Sequence, residues 1–197
     1  HCAGSGSVGF SLVNPMKDFE RTVWTTHYVL EYIRVFSPQT CLLYPSSAAI
    51  YGNQETLPLT TDMTPNPISP YGVHKNIVEE LCTMYATQYG VHVAVLRLFS
   101  VYGNGPKKQL LWDACSKLSQ GINTFWGTGE ETRDWVHVSD VAQAFLIAGE
   151  KATSECPVVN VGTGHAVQIK DVLDILFEAY GAQERPAFGG EVNVGNP

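Results

Sequence analysis

Apolar side chains recur along this chain in two rhythms, and the alternation between them sets the expected fold. Over residues 15–36 the positions Phe19, Val23, Thr26, Val29, Leu30 and Ile33 repeat at helical spacing, and Ser37-Pro38 ends the pattern. Residues 40–44 form a short apolar run of the kind buried in a parallel sheet, with Ser46-Ser47 just past its carboxyl end. A stretch rich in Thr, Asn and Pro at 60–70 reads as a loop. Ser69 is placed as an N-cap and Pro70 at the first helical position, so Ile77, Val78, Leu81, Met84 and Tyr85 line one face of a helix that Gly90 stops. A second buried strand follows at 92–98, a turn at 103–106 and an amphipathic helix at 107–118. Ser139 is expected to cap a helix over 141–148. Beyond it come a strand at 157–161, a turn at Gly162-Thr163-Gly164, and a helix at 169–180 ended by Gly181. Strands alternating with helices predict an α/β fold.

Two of these elements carry chemistry. Tyr71 opens the helix that begins at Ser69-Pro70, and Lys75, four residues on, shares its face, so phenol and ammonium can meet one ligand. A phenol near pKa 10 is a poor base at neutral pH, and a neighbouring cation together with the positive end of a helix favours the phenolate. Lowering that pKa by about three units takes roughly 4 kcal/mol. Ser46-Ser47 sits where open α/β sheets bind ligands, and a hydroxyl there can bond a substrate oxygen while the phenolate takes its proton.

Composition narrows the setting. With 197 residues and 44% hydrophobic content the chain can bury a sizeable core, and a net charge of -7 argues against a nucleic-acid-binding surface. Five scattered cysteines without Cys-x-x-Cys spacing suit a reduced, cytoplasmic setting, and no metal site is expected. No apolar run approaches the ~18 residues of a membrane span. The chain begins at His1 rather than Met, and no strand followed by G-x-G-x-x-G precedes the elements above, so it reads as a piece lacking a glycine-rich amino-terminal half.

Six motifs in order resemble the extended short-chain dehydrogenase/reductases, and within them the nucleotide-sugar epimerases and dehydratases. They are His1-Cys2-Ala3-Gly4, Ser46-Ser47-Ala48-Ala49-Ile50-Tyr51-Gly52, Tyr71 to Lys75, Arg97-Leu98-Phe99-Ser100-Val101-Tyr102-Gly103, Gly127-Thr128-Gly129 through Arg133-Asp134-Trp135-Val136-His137-Val138, and Asn160-Val161-Gly162-Thr163-Gly164. The resemblance implies a partial Rossmann-type parallel sheet flanked by helices over 1–103. It also implies a small α/β substrate-binding lobe over 104–197, interleaved at about 134–161 with returning Rossmann elements.

The same resemblance implies NAD as cofactor, Tyr71 as base, Ser47 as hydroxyl orienter and Lys75 as ribose anchor. Cys2, Ala3, Gly4, Ser46, Tyr71, Lys75 and Phe99 would border the cofactor. A nucleotide-diphosphate sugar would meet Ser47, Ser100, Leu110, Phe125, Trp126 and Arg133, with Arg133 as the fixed guanidinium for the diphosphate. His137 is expected to be structural. Ser5-Gly6, Arg21-Thr22 and Ser100 depart from the Lys and Asn residues usual at those positions. Ala48-Ala49 stands where dehydratases carry an Asp-Glu pair, so C4 epimerisation through a transient ketosugar is the expected reaction. A nucleotide-sugar reductase, another extended short-chain dehydrogenase, or a non-catalytic homologue is the alternative. The full-length protein is expected to be a homodimer, and the piece alone inactive.

Overall fold

Residues 1–190 are described in this computed structural model, and they divide into two compact units. The first comprises 1–98 and 141–161, the second 99–140 and 162–190. In chain order the elements are α1 (Val8–Val13), α2 (Pro15–Phe19), a π-helical turn (Glu20–Trp24), α3 (Thr25–Phe36), β1 (Leu42–Ser47), a 3-10 turn (Ala48–Ile50) and α4 (Pro70–Tyr89). They continue with β2 (Val93–Leu98), β3 (Ser100–Tyr102), α5 (Gln109–Ser119), β4 (Thr124–Phe125), β5 (Thr132–His137), α6 (Val138–Lys151), β6 (Val158–Val161), β7 (Ala166–Gln168), α7 (Ile169–Tyr180) and β8 (Ala187–Phe188).

The first unit is built on a parallel sheet of order β1-β2-β6, in register Leu42↔Val93 and Val95↔Val158. Residues 93–97 of β2 are buried without a break, as a strand covered on both faces requires. Leu42 and Tyr44 of β1 join Leu30 and Ile33 of α3 and Val78, Cys82 and Tyr85 of α4 in one core. In the second unit β3 and β5 pair parallel, β5 and β7 antiparallel, and β4 pairs with β8. Its core is Ala114 and Leu118 of α5, Phe125, and Leu173 and Phe177 of α7. Among the described residues no helix is long and apolar enough to cross a membrane, no group of side chains is arranged to hold a metal ion, and all five cysteines are free.

Three expectations need correction. The His1-Cys2-Ala3-Gly4 motif, which the family resemblance reads as the end of a strand, forms none: the chain bends at Gly4, and the His1 nitrogen donates to the Leu43 carbonyl at 3.0 Å. A run as poor in side chains as Gly4-Ser5-Gly6-Ser7 has little to pack against a sheet. The helix expected over 15–36 is interrupted by the π-helical turn, where the Thr26 hydroxyl donates back to the Thr22 carbonyl at 2.7 Å and competes with the helical ladder. Ser139 does not cap a later helix, because α6 already starts at Val138; its hydroxyl instead meets His137 Nδ1 at 2.7 Å.

Candidate active site

The site forms where the end of β1 meets the start of α4. β1 runs through both serines, pairing Ser46 with Arg97 and Ser47 with Leu98, so they are its last rungs rather than the turn beyond it. Ser47 Oγ then accepts the Ala49 N–H at 3.2 Å and starts the 3-10 turn. Ser69 Oγ accepts the Gly72 N–H at 3.2 Å, Pro70 occupies the first helical position, and the Tyr71 N–H, free of an intrahelical partner, donates to Ser11 Oγ at 3.0 Å. These caps fix Tyr71 at the mouth of the helix.

Ser47, Tyr71 and Lys75 come together there. The Ser47 hydroxyl is near enough to the Tyr71 phenol to draw its pKa down, and the Lys75 ammonium lies 5.7 Å from the centre of the Tyr71 ring. Lys75 is only 6% exposed; it donates to the Pro45 carbonyl at 2.7 Å and stands 4.8 Å over the Tyr44 ring. Burial pulls its pKa down to about 8 from the ordinary 10.5, with Asp18, Cys2 and Glu79 pulling the other way.

The phenol does not follow the expectation that Lys75 lowers it. Burial pushes Tyr71 up, and the opposing pull comes from the Ser47 hydrogen bond, because the ammonium is turned toward Pro45 and Tyr44.

Sequence reasoning missed the polar network underneath. Ser46 donates to Glu79, so its hydroxyl serves the protein and only its backbone is left to border a cofactor. Arg97 grips the Glu79 carboxylate through Nη2 at 2.8 Å and Nε at 3.2 Å, and its Nη1 donates to the Tyr51 hydroxyl at 2.8 Å and the Thr61 carbonyl at 3.2 Å. The Tyr51 hydroxyl donates to Asn160 Oδ1 at 2.7 Å, and Asn160 donates to the Leu59 carbonyl at 2.9 Å. Two signals pointed to it: an arginine inside an otherwise apolar buried strand, and a glutamate four residues after Lys75 on the same helix face. A second buried pair joins His74 Nδ1 to Asp18 Oδ2 at 2.6 Å.

Around Lys75 a cavity of about 30 Å³ is lined by Cys2, Ala3, Gly4, Thr22, Tyr44 and Pro45, among others. Its donors suit the hydroxyl-bearing end of a dinucleotide: one of the three Lys75 protons is used by Pro45, and the buried Tyr44 hydroxyl has no partner among the described residues. Thr22 accepts the Ser5 N–H at 3.3 Å.

The remaining candidates lie in the second unit. Phe99 and Ser100 are half-buried at the start of β3, where Ser100 pairs with Trp135, and Leu110 packs on the α5–α7 core. Phe125 is 4% exposed, its ring 5.8 Å from Phe177 and 6.4 Å from Phe188, so its side chain is part of the core. Trp126 is exposed. Arg133 on β5 donates to the Thr132 carbonyl at 2.8 Å and has no ion pair among the described residues. Both carboxylates beside it are engaged: Glu131 accepts the Thr128 and Gly129 N–H groups at 2.9 and 2.8 Å, and Asp134 accepts those of Thr163 and Gly164 at 2.7 and 2.8 Å.

This architecture is that of solved nucleotide-sugar enzymes. UDP-glucose 4-epimerase from Thermotoga maritima, solved with UDP-glucose, superposes with a TM-score of 0.90 at 29% identity, covering 99% of this chain and 64% of that one. MoeE5 in complex with UDP-glucose and NAD gives 0.90 at 28% identity, covering 100% and 66%. Residues 1–162 match the NAD dependent epimerase/dehydratase family, and the chain belongs to that family. Curated relatives include a putative UDP-glucose 4-epimerase of Methanocaldococcus jannaschii, 33% identical over 89% of this chain and 58% of its own length. UDP-arabinose 4-epimerase 1 of Arabidopsis thaliana is 28% identical over 93% of this chain and 49% of its own. The chain therefore spans about half the length of the curated relatives it matches.

Proposed function

We propose that this chain carries the proton-transfer centre of an NAD-dependent nucleotide-sugar epimerase that inverts C4 through a transient ketosugar. The observation that carries the reading is the cluster of Ser47, Tyr71 and Lys75 where the end of β1 meets the start of α4, with the Lys75 ammonium 5.7 Å from the Tyr71 ring and bonded to the Pro45 carbonyl of the same strand. The Tyr71 oxygen takes the proton of the sugar hydroxyl, and Ser47 holds that hydroxyl in line. Lys75 offers its spare protons to a ribose hydroxyl, and Cys2, Ala3, Gly4 and the Ser46 backbone border the same ligand. NAD, when bound, supplies the acceptor and later the donor of hydride. Arg133, in no ion pair among the described residues, is the proposed anchor for the diphosphate, alongside Ser100, Leu110 and Trp126. The relatives named above bind or act on UDP-sugars, which favours a UDP-sugar here.

Ala48 and Ala49 carry only methyl groups, so no second acid and base stands beside Ser47 to eliminate water. In the full-length protein, Tyr71→Phe is expected to cut turnover about 100-fold or more while NAD stays bound. Product analysis by mass spectrometry should show a 4-epimer and no 4-keto-6-deoxy sugar. An unchanged rate in the Phe variant removes Tyr71 from this role, and a 4-keto-6-deoxy product overturns the assignment as an epimerase.

A further inference from the structure

On α4, residues 71, 75 and 79 fall at four-residue intervals and share one face. Each meets one of three consecutive β1 residues. Lys75 donates to the Pro45 carbonyl and Glu79 accepts the Ser46 hydroxyl, a register that sets Tyr71, one turn earlier, beside Ser47. The last three residues of the strand are thus clamped by three turns of one helix. We propose that Glu79, held by Arg97 and acting through Ser46, is a positioning residue that sets the presentation of Ser47 to Tyr71. The proposal rests on the reading of Tyr71 and Ser47 given above.

Energetics favour a geometric role over a stabilising one. Glu79 and Arg97 are 6% and 5% exposed, and a buried ion pair of this kind is often no more stable than apolar side chains of the same volume. What such a pair does supply is direction. Arg97 fixes both carboxylate oxygens, and it is itself fixed by Tyr51 and by the Thr61 carbonyl in the loop that follows the 3-10 turn. The carboxylate then has one remaining task on the strand, to hold the Ser46 hydroxyl, and the next residue is Ser47. Without that rung the end of β1 is held by its pairing with β2 alone, and the placement of Ser47 beside Tyr71 is the first to loosen.

The test reads the phenol itself in the 197-residue chain. Tyrosine labelled at Cζ is followed by NMR through alkaline pH, with the Tyr71 signal assigned from Tyr71→Phe. Ser46→Ala leaves the ion pair intact, and Glu79→Gln keeps the shape while removing the charge. Both are expected to raise the Tyr71 midpoint by at least about half a pH unit. Cys82→Ala, a cavity in the same helix away from the serines, should lower melting temperature without moving that signal. Midpoints within about 0.2 unit of wild type in Ser46→Ala would overturn the proposal even if Glu79→Gln failed to fold. The catalytic reading fails separately, by an unchanged turnover in Tyr71→Phe, whatever the phenol does here.

Discussion

At the scale of single residues, Lys75 makes the clearest statement about pH. In an unfolded chain its amine holds a proton up to about pH 10.5; in the fold burial releases that proton near pH 8. Between those values the unfolded state binds more protons, so the Lys75 contribution to stability rises with pH and is least favourable below pH 8. Lys75→Met removes that dependence. Chemical denaturation across pH 7 to 10.5 should show wild type gaining stability relative to the Met variant as pH rises; parallel curves would mean that the amine is not perturbed by burial. That Tyr71 and Lys75 share a face at the start of one helix was legible in the sequence because cap, proline and spacing agree, and Ser47 was placed near the end of the preceding strand by the apolar run before it. The direction of the phenol shift was not, since it depends on how deeply the oxygen is buried and on where the ammonium turns. Glu79 and Arg97 were visible only as charges out of place.

Among the elements, α4 was read correctly at both ends because its signals are local: Ser69 and Pro70 at the start, and Gly90 in the left-handed conformation (φ 70°) at the stop. The π-helical turn left no such signal, as the added residue is accommodated by hydrogen bonds and not by composition. The start of α4 is also tightly seated. A Cβ at Gly72 would lie 2.6 Å from the Ala49 carbonyl oxygen and 2.9 Å from Pro67 Cβ. Relief would have to come from backbone next to Ser47, so Gly72→Ala is expected to destabilise by about 1–3 kcal/mol despite the better helix propensity of alanine. Equal or greater stability by thermal or urea unfolding would show that the 49 and 67 segments yield freely.

For the whole molecule, the family's α/β class was legible, and the fold agrees with it. The division into units depends on contacts between distant segments and could be sketched from the sequence only through the resemblance. The cavity beside Lys75 offers contacts to one end of a dinucleotide, and residues 1–7 contain no helix whose amino terminus could hold a pyrophosphate. Calorimetric titration of NAD into this chain is expected to show no binding tighter than millimolar; micromolar affinity would show that the residues present suffice.

The path of the chain has one more consequence, for recombination. Among the described residues the backbone passes from one unit to the other at 98/99, 140/141 and 161/162, and β6, with Asn160 on it, completes the first unit's sheet only after the second unit has begun. Neither unit is a contiguous cassette. A chimera meant to transplant the second unit from a homologue needs a junction at each of these crossings rather than one, and a stop codon placed after 140 would leave Tyr51 without Asn160 and β2 without its neighbour β6.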